Sequence, residues 1–178
     1  MSFFLWCIAY LVPFVGALFV ARRQQSLVAS IVVAHLFVLI SIALLFIVGA
    51  RVSSGSSVYS VGFLGVSLLF ALLLLRGYGL VYVFSSVIQQ YCILLAYLLL
   101  ASTTGPWVAM VLTALVFALA HLIKRSGWQW KLPITFLWGV LSCLLYFWLQ
   151  DPFLNIAIHT ICGAVLISRG LLLQGLKI

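Results

Sequence analysis

The sequence contains no glutamate, and its only acidic residue is Asp151. Mechanisms that depend on a glutamate or on a pair of carboxylates are therefore excluded. Charged residues make up 6% of the chain, whereas a soluble domain holds roughly a quarter. Too few charges remain to cover an aqueous surface, and 67% of the residues are hydrophobic. Lipid is the solvent that tolerates such an exterior, because a water-exposed apolar surface of this size would aggregate.

The chain contains several apolar runs, each of about the 20 residues that a helix needs to cross a bilayer. They cover residues 2–21, 26–50, 57–75, 80–101, 106–123, 133–149 and 152–173. The fold class that they predict is an all-α, polytopic transmembrane bundle of about seven spans. Short connections and the lack of an internal repeat indicate a single domain over residues 1–178.

The distribution of basic residues predicts the orientation of this bundle. With the N-terminus outside and the C-terminus inside, eight of the nine Lys and Arg residues fall on the cytoplasmic side. These eight are Arg22, Arg23, Arg76, Lys124, Arg125, Lys131, Arg169 and Lys177. The first basic pair follows the first apolar run, which is the wrong order for a cleaved signal peptide. We expect a retained N-terminal anchor, in a bacterial cytoplasmic (inner) membrane.

Proline marks three expected helix starts. Asp151-Pro152 combines a capping acid with a proline in the first turn, and Asp151 is expected to be an exposed helix cap. Gly105-Pro106 and Leu132-Pro133 are expected to end one helix and start the next in the same way.

Six polar side chains are predicted at bilayer depth, where a polar group is costly and generally has a partner. They are His35, Gln89, Gln90, His121, Asn155 and His159. A spacing of four places Phe117 and His121 on one helix face, and Asn155, His159 and Gly163 on another. We therefore expect the fourth, fifth and seventh segments to converge on a polar pocket. Alternatively, these groups only form interhelical hydrogen bonds and have no further role. For His35 this alternative is the favoured one.

Three short patterns follow one another between residues 80 and 170. Residues 89–94 read QQYCIL, residues 117–121 read FALAH and residues 159–163 read HTICG. In order and helix placement they resemble the EExxxR, FxxxH and HxxxN motifs of the CAAX-protease and bacteriocin-processing family. These are glutamate-type intramembrane proteases related to the type II prenyl endopeptidase. The resemblance implies a CAAX-protease-like core over residues 80–170, with a family-equivalent pocket at Gln89, Gln90, His121 and His159.

The sequence departs from the family at the positions that carry the chemistry. In the family a glutamate activates water and a His/Asn pair stabilises the oxyanion, but here Gln89 and Gln90 replace both glutamates. Leu94 stands where arginine is expected, and Gly163 where asparagine is expected. A glutamine amide has no useful basicity, although Asn155 could supply a donor from the turn above Gly163. An engineered double substitution could also place two glutamines here, but the missing arginine and asparagine argue against it.

These departures favour a catalytically degenerate homologue that acts as a binding, scaffold or chaperone subunit for a membrane partner. An intramembrane endopeptidase with altered chemistry and a bacteriocin self-immunity protein are the alternatives. Zinc at His121, His159 and Cys162 would lack a carboxylate ligand. His35, His121 and His159 could ligate haem, but His121 is expected near the cytoplasmic end of its helix and His159 nearer the outer half. We expect no metal or cofactor, and no nucleic acid. The expected partners are the bilayer and another membrane protein or a membrane-embedded peptide.

Overall fold

The computed structural model describes residues 2–24, 27–52, 57–123 and 128–170. Within these ranges the chain is helical and contains no β-strand, so the predicted all-α class is confirmed. Three basic residues used to predict the orientation, Lys124, Arg125 and Lys177, lie outside the described residues.

The first helix, α1, covers residues 2–22 as Ser2–Trp6, a π-helical turn at Cys7–Leu11, and Val12–Arg22. The later α-helices are α2 (Leu27–Ile47), α3 (Val58–Leu75), α4 (Gly79–Thr104), α5 (Pro106–Ala120), α6 (Trp128–Leu149) and α7 (Pro152–Ser168). Short 3-10 turns follow α3 at Arg76–Tyr78 and α5 at His121–Ile123. Each predicted apolar run overlaps one of these helices, and several runs extend a few residues beyond the helix end.

Four helical stretches of the described chain are long and apolar enough to cross a membrane. They are Phe3–Arg22, Ala29–Ile47, Val58–Thr104 and Gln129–Leu149. The third stretch contains 47 residues and includes both α3 and α4. Pro106–Ala120 and Pro152–Ser168 are apolar but shorter. These helices are those of an integral membrane protein.

Helix α4 is the centre of the bundle, because it contacts every other α-helix. Its middle is buried on all sides: the five consecutive residues from Cys92 to Ala96 are fully inaccessible. An ordinary amphipathic helix buries one stripe, so this all-round burial marks a helix enclosed by its neighbours. The main hydrophobic cluster is built around this stretch and joins α4 to α1, α2, α5 and α6. Gln90, which lies two residues before this stretch, is likewise inside the protein.

Two of the three proline-marked helix starts are confirmed and one is wrong. Helices α5 and α7 begin at Pro106 and Pro152 as predicted. Helix α6 instead begins at Trp128 and contains Pro133 in its second turn. The Thr135 hydroxyl donates to the Lys131 carbonyl at 2.7 Å there. Polar partners of this kind let a membrane helix continue through a proline.

Asp151 is a helix cap, but the expectation that it is exposed is wrong. Its carboxylate accepts the backbone N–H groups of Phe153 and Leu154, each at 3.0 Å. The side chain is buried, and its second oxygen accepts a hydrogen bond from the Ser60 hydroxyl on α3. The tertiary contact between α3 and α7 covers the cap. The sequence around residue 151 does not predict that contact. The only carboxylate side chain of the protein thus joins two helix ends.

Candidate functional site

The two adjacent glutamines of α4 point into different environments. Gln90 is fully buried, whereas Gln89 is half-buried. Successive residues of a helix are separated by about 100°, so the pair cannot share one set of partners. Each glutamine is therefore the start of a separate hydrogen-bonded group.

Gln90 joins α4 to α6 and α7 through a buried amide network. Its Nε2 donates to the Ser142 hydroxyl and, at 2.5 Å, to Asn155 Oδ1. Ser142 Oγ also donates to Asn155 Oδ1 at 3.0 Å, and Asn155 Nδ2 donates to the Ser142 carbonyl at 2.7 Å. All three side chains are neutral and buried. The network binds three helices together without a charge.

Gln89 faces α2 instead. Its Nε2 donates to Ser85 Oγ at 2.9 Å, one turn earlier on α4. The same nitrogen lies 3.4 Å from His35 Nε2, and Ser85 Oγ lies 2.6 Å from that ring nitrogen. His35 therefore belongs to the surroundings of Gln89 and has polar partners on a second helix.

The aromatic ring of Phe117 lies between the two histidines of the family motifs. The ring centroid of Phe117 is 4.3 Å from that of His121 and 6.4 Å from that of His159. His121 Nδ1 is 2.8 Å from the Phe117 carbonyl. Trp138 Nε1 donates to His159 Nδ1 at 2.5 Å. Since an indole N–H is only a donor, the neutral His159 ring carries its proton on Nε2.

A glycine on α6 makes this arrangement possible. A Cβ at Gly139 would lie 2.9 Å from Ala114 Cα and 3.4 Å from Phe117 Cδ1. Any larger residue would force α6 away from α5. The close approach fixes the Phe117 ring between the histidines and brings Trp138, the preceding residue, to the α7 side.

The position of the missing family asparagine is already filled. A Cβ on Gly163 would overlap the hydroxyl of Tyr82, which reaches across from α4. That hydroxyl donates to the Thr160 carbonyl at 2.9 Å and lies 3.3 Å from the His159 carbonyl. Tyr82 therefore occupies the volume that a side chain at residue 163 would need, and it ties α4 to the turn that carries His159.

The predicted pocket residues thus lie on converging helices, but they form distinct groups. Asn155 joins Gln90, while Gln89 joins His35, and His121 and His159 flank Phe117. Gln89 and Gln90 are consecutive on α4, and Asn155 lies one turn before His159 on α7, so the three groups are neighbours. Helix periodicity indicated these residues but missed four polar or aromatic partners: Ser85, Trp138, Ser142 and Tyr82. Serine, tryptophan and tyrosine are frequent in membrane helices, and only the tertiary packing distinguishes these four.

The described residues contain no group of three His, Cys, Asp or Glu side chains that could hold a metal ion. The zinc set of His121, His159 and Cys162 is therefore not assembled in this structure. Among the other cysteines, Cys92 and Cys143 are buried and free in the hydrophobic interior. The one carboxylate, Asp151, lies eight residues before His159 on α7, roughly 12 Å along the helix axis, and is engaged in the cap.

The apolar helices are those of an integral membrane protein. Residues 82–165 match the family model described as Type II CAAX prenyl endopeptidase Rce1-like. The match confirms the predicted resemblance and covers a little under half of the chain, from Tyr82 on α4 to Val165 on α7. No curated protein and no solved structure gives a significant match.

Proposed function

We propose that the protein is a CAAX-protease-like membrane protein that has lost glutamate-type proteolysis and binds a membrane partner as a scaffold or chaperone subunit. The observation that carries this proposal is the neutral network at Gln90. Where the family resemblance implies a carboxylate, an amide donates to Ser142 and Asn155. An amide cannot take a proton from water near neutral pH.

The Tyr82–Gly163 contact supports the same proposal. The asparagine expected at residue 163 would supply a donor to a developing oxyanion. The Tyr82 hydroxyl instead donates to backbone carbonyls of α7. Base and oxyanion donor are both replaced by groups that hold helices together. Such substitutions retain the family's helix packing while removing its reaction.

The preserved aromatic and histidine groups support a binding role. Phe117, His121, Trp138 and His159 form a connected cluster next to the amide network. The described residues lie almost entirely on apolar helices, so this part of the chain would contact a partner largely within or at the edge of the bilayer. We therefore propose a transmembrane segment or a lipidated peptide as the bound species.

The first test separates binding from cleavage. The protein is reconstituted in lipid nanodiscs with a fluorescent farnesylated CAAX peptide. Fluorescence anisotropy measures binding, and mass spectrometry measures release of the C-terminal tripeptide. We expect saturable binding without release of the tripeptide. Release that exceeds the amount of protein present would mean catalytic turnover and would contradict the proposal.

Native mass spectrometry of the protein taken from its own membranes provides the second arm of this test. We expect a membrane protein or peptide in a fixed stoichiometric ratio. The matched variant is Trp138→Phe, which keeps an aromatic ring but removes the N–H donated to His159. Partner loss in this variant would place the interaction at the histidine cluster, whereas a lone chain that also fails to bind the peptide would argue against a scaffold role.

We also propose that all seven α-helices cross the membrane, with the N-terminus outside, in a bacterial cytoplasmic membrane. Basic residues concentrate in every second connection between the apolar helices, and this distribution supports the topology. Fusions to alkaline phosphatase after Arg23, Arg51, Arg76 and Gln150 provide the measurement, because that enzyme is active only outside the cytoplasm. We expect activity for the fusions after Arg51 and Gln150 only. Activity after Arg23 or Arg76 would require another topology.

A further inference from the structure

A serine and a histidine on different helices form a short hydrogen bond beside the family site. Ser85 Oγ on α4 lies 2.6 Å from His35 Nε2 on α2. The other ring nitrogen, Nδ1, lies 2.6 Å from the Ile31 carbonyl one turn earlier. A hydroxyl next to a base that is itself oriented by a third group is the arrangement that activates a nucleophile.

The partners of His35 determine which ring nitrogen carries the proton. A carbonyl oxygen only accepts, so Nδ1–H must donate to Ile31. In the neutral ring Nε2 is then the acceptor, and the Ser85 hydroxyl donates to it. The proton of Ser85 thus points at the nitrogen that would remove it, within the distance required of a general base.

Gln89 completes a chain of hydrogen bonds that all run in one direction. Its amide N–H donates to Ser85 Oγ at 2.9 Å, Ser85 donates to His35, and His35 donates to Ile31. A carboxylate at residue 89 could not donate to Ser85. It would compete with His35 for the hydroxyl proton and favour a protonated imidazole. The amide that replaces the family glutamate is therefore the group that this Ser–His pair needs.

The pair is open to the lipid. Ser85, His35 and Gln89 are half-buried, in contrast to the fully buried Gln90. Apolar neighbours on both helices are more than half exposed: Val32 53%, Leu36 55%, Val81 55% and Phe84 54%. Both residues lie roughly 9–12 Å from the first residue of their helices, at the ends that face the cytoplasm in the proposed topology. An acyl chain can approach from the lipid and water from the cytoplasm.

We infer that Ser85 and His35 form a nucleophile–base pair that hydrolyses a long-chain carboxylic ester presented from the lipid. Ser85 Oγ bonds to the acyl carbon while its proton passes to His35 Nε2; the ester C–O bond breaks and the departing alcohol takes that proton. Water then attacks the acyl–Ser85 ester and gives a proton to His35, and the fatty acid leaves as Ser85 Oγ regains it. A carbonyl rather than a carboxylate orients the base, which suits an ester better than an amide.

The test uses the full-length protein in detergent micelles with two probes. A fluorophosphonate labels an activated serine by losing fluoride, and p-nitrophenyl palmitate reports ester hydrolysis. We expect time-dependent labelling of the wild type and none of Ser85→Ala. His35→Gln keeps an acceptor for the Ser85 hydroxyl but has no basic nitrogen, so its labelling rate should fall about 100-fold. Ser102→Ala is the matched control, since Ser102 is an exposed serine farther along the same helix, with its hydroxyl on the Leu99 carbonyl.

A purely structural role for the pair gives a different result. In that case His35→Gln and Ser85→Ala would lower the thermal midpoint while the wild type resisted the probe. An unlabelled wild type, or equal labelling of Ser85→Ala and wild type, overturns the inference. Faster hydrolysis of p-nitrophenyl acetate than of the palmitate would overturn the lipid-side substrate. Ester hydrolysis at Ser85 is independent of the proposed function, so a negative result would leave the peptide-binding and partner tests unaffected.

Discussion

Gln90→Glu is expected to be among the most destabilising single substitutions in this protein, even though it restores a residue that the family motif contains. A carboxylate at residue 90 would lose the Nε2 donor and face Asn155 Oδ1, which now lies 2.5 Å from that nitrogen. Two acceptors would oppose each other in a site with no access to water. An unpaired charge in such a position costs roughly 3–5 kcal/mol. Protonation of the new carboxyl would relieve part of this cost.

The adjacent residue provides the control, because Gln89→Glu introduces the same side chain one position away. Gln89 is half-buried and lies beside His35, whose protonated ring would pair with the new carboxylate. We expect a change of at most about 1 kcal/mol for Gln89→Glu. Titration with a denaturing detergent, followed by the fluorescence of the six tryptophans, compares the two variants. Equal stability of both variants would show that the Gln90 network contributes little.

Restoring the two glutamates would not by itself restore the motifs that the family uses for proteolysis. Restoring Gln89 and Gln90 to glutamate together leaves Leu94 and Gly163 unchanged, and Leu94 is fully buried among apolar side chains. An arginine at residue 94 would have no room for its charged head in the present packing. The departures from the family motif are therefore coupled through the packing around α4.

Much of the fold follows from local features of the sequence. Runs of apolar residues identify the helices, because backbone groups in lipid must form their hydrogen bonds within the chain. Gly105, Pro106 and Asp151 mark helix ends, as capping rules predict. The prediction that a helix starts at Pro133 was wrong because proline also occurs inside membrane helices. The burial of Asp151 could not be predicted, because it depends on Ser60 from a helix some 90 residues away.

The candidate site was also predictable in part from local features of the sequence. Spacing and the family motifs led to Gln89, Gln90, His121 and His159, all of which lie on helices that converge. Their grouping depends on rotations of the helices about their axes, which periodicity in a uniformly apolar sequence does not specify. Ser85 and Tyr82 illustrate the consequence: each is one polar residue among many, and only its partner across a helix contact gives it a role.

Gly163→Asn, which restores the last family motif, is expected to be strongly destabilising on its own. The first side-chain atom would overlap the Tyr82 hydroxyl, and moving that ring breaks its hydrogen bond to Thr160. Overpacking of this kind costs about 1–3 kcal/mol, and the lost hydrogen bond adds about 1 kcal/mol. The thermal midpoint in detergent should therefore fall for the single variant.

The second substitution distinguishes a steric conflict from a general intolerance of α7. Tyr82→Ala removes the ring, so Tyr82→Ala/Gly163→Asn should be more stable than the sum of the two single changes predicts. A double-mutant cycle measures this coupling, and we expect it to exceed about 1 kcal/mol because the two sites are in direct contact. Gly65→Asn on α3 is the steric control, since no heavy atom lies within 4 Å of a Cβ built there. Additive effects would mean that Tyr82 does not fill the place of the family asparagine. Strong coupling would identify the tyrosine–glycine pair as the replacement for that residue.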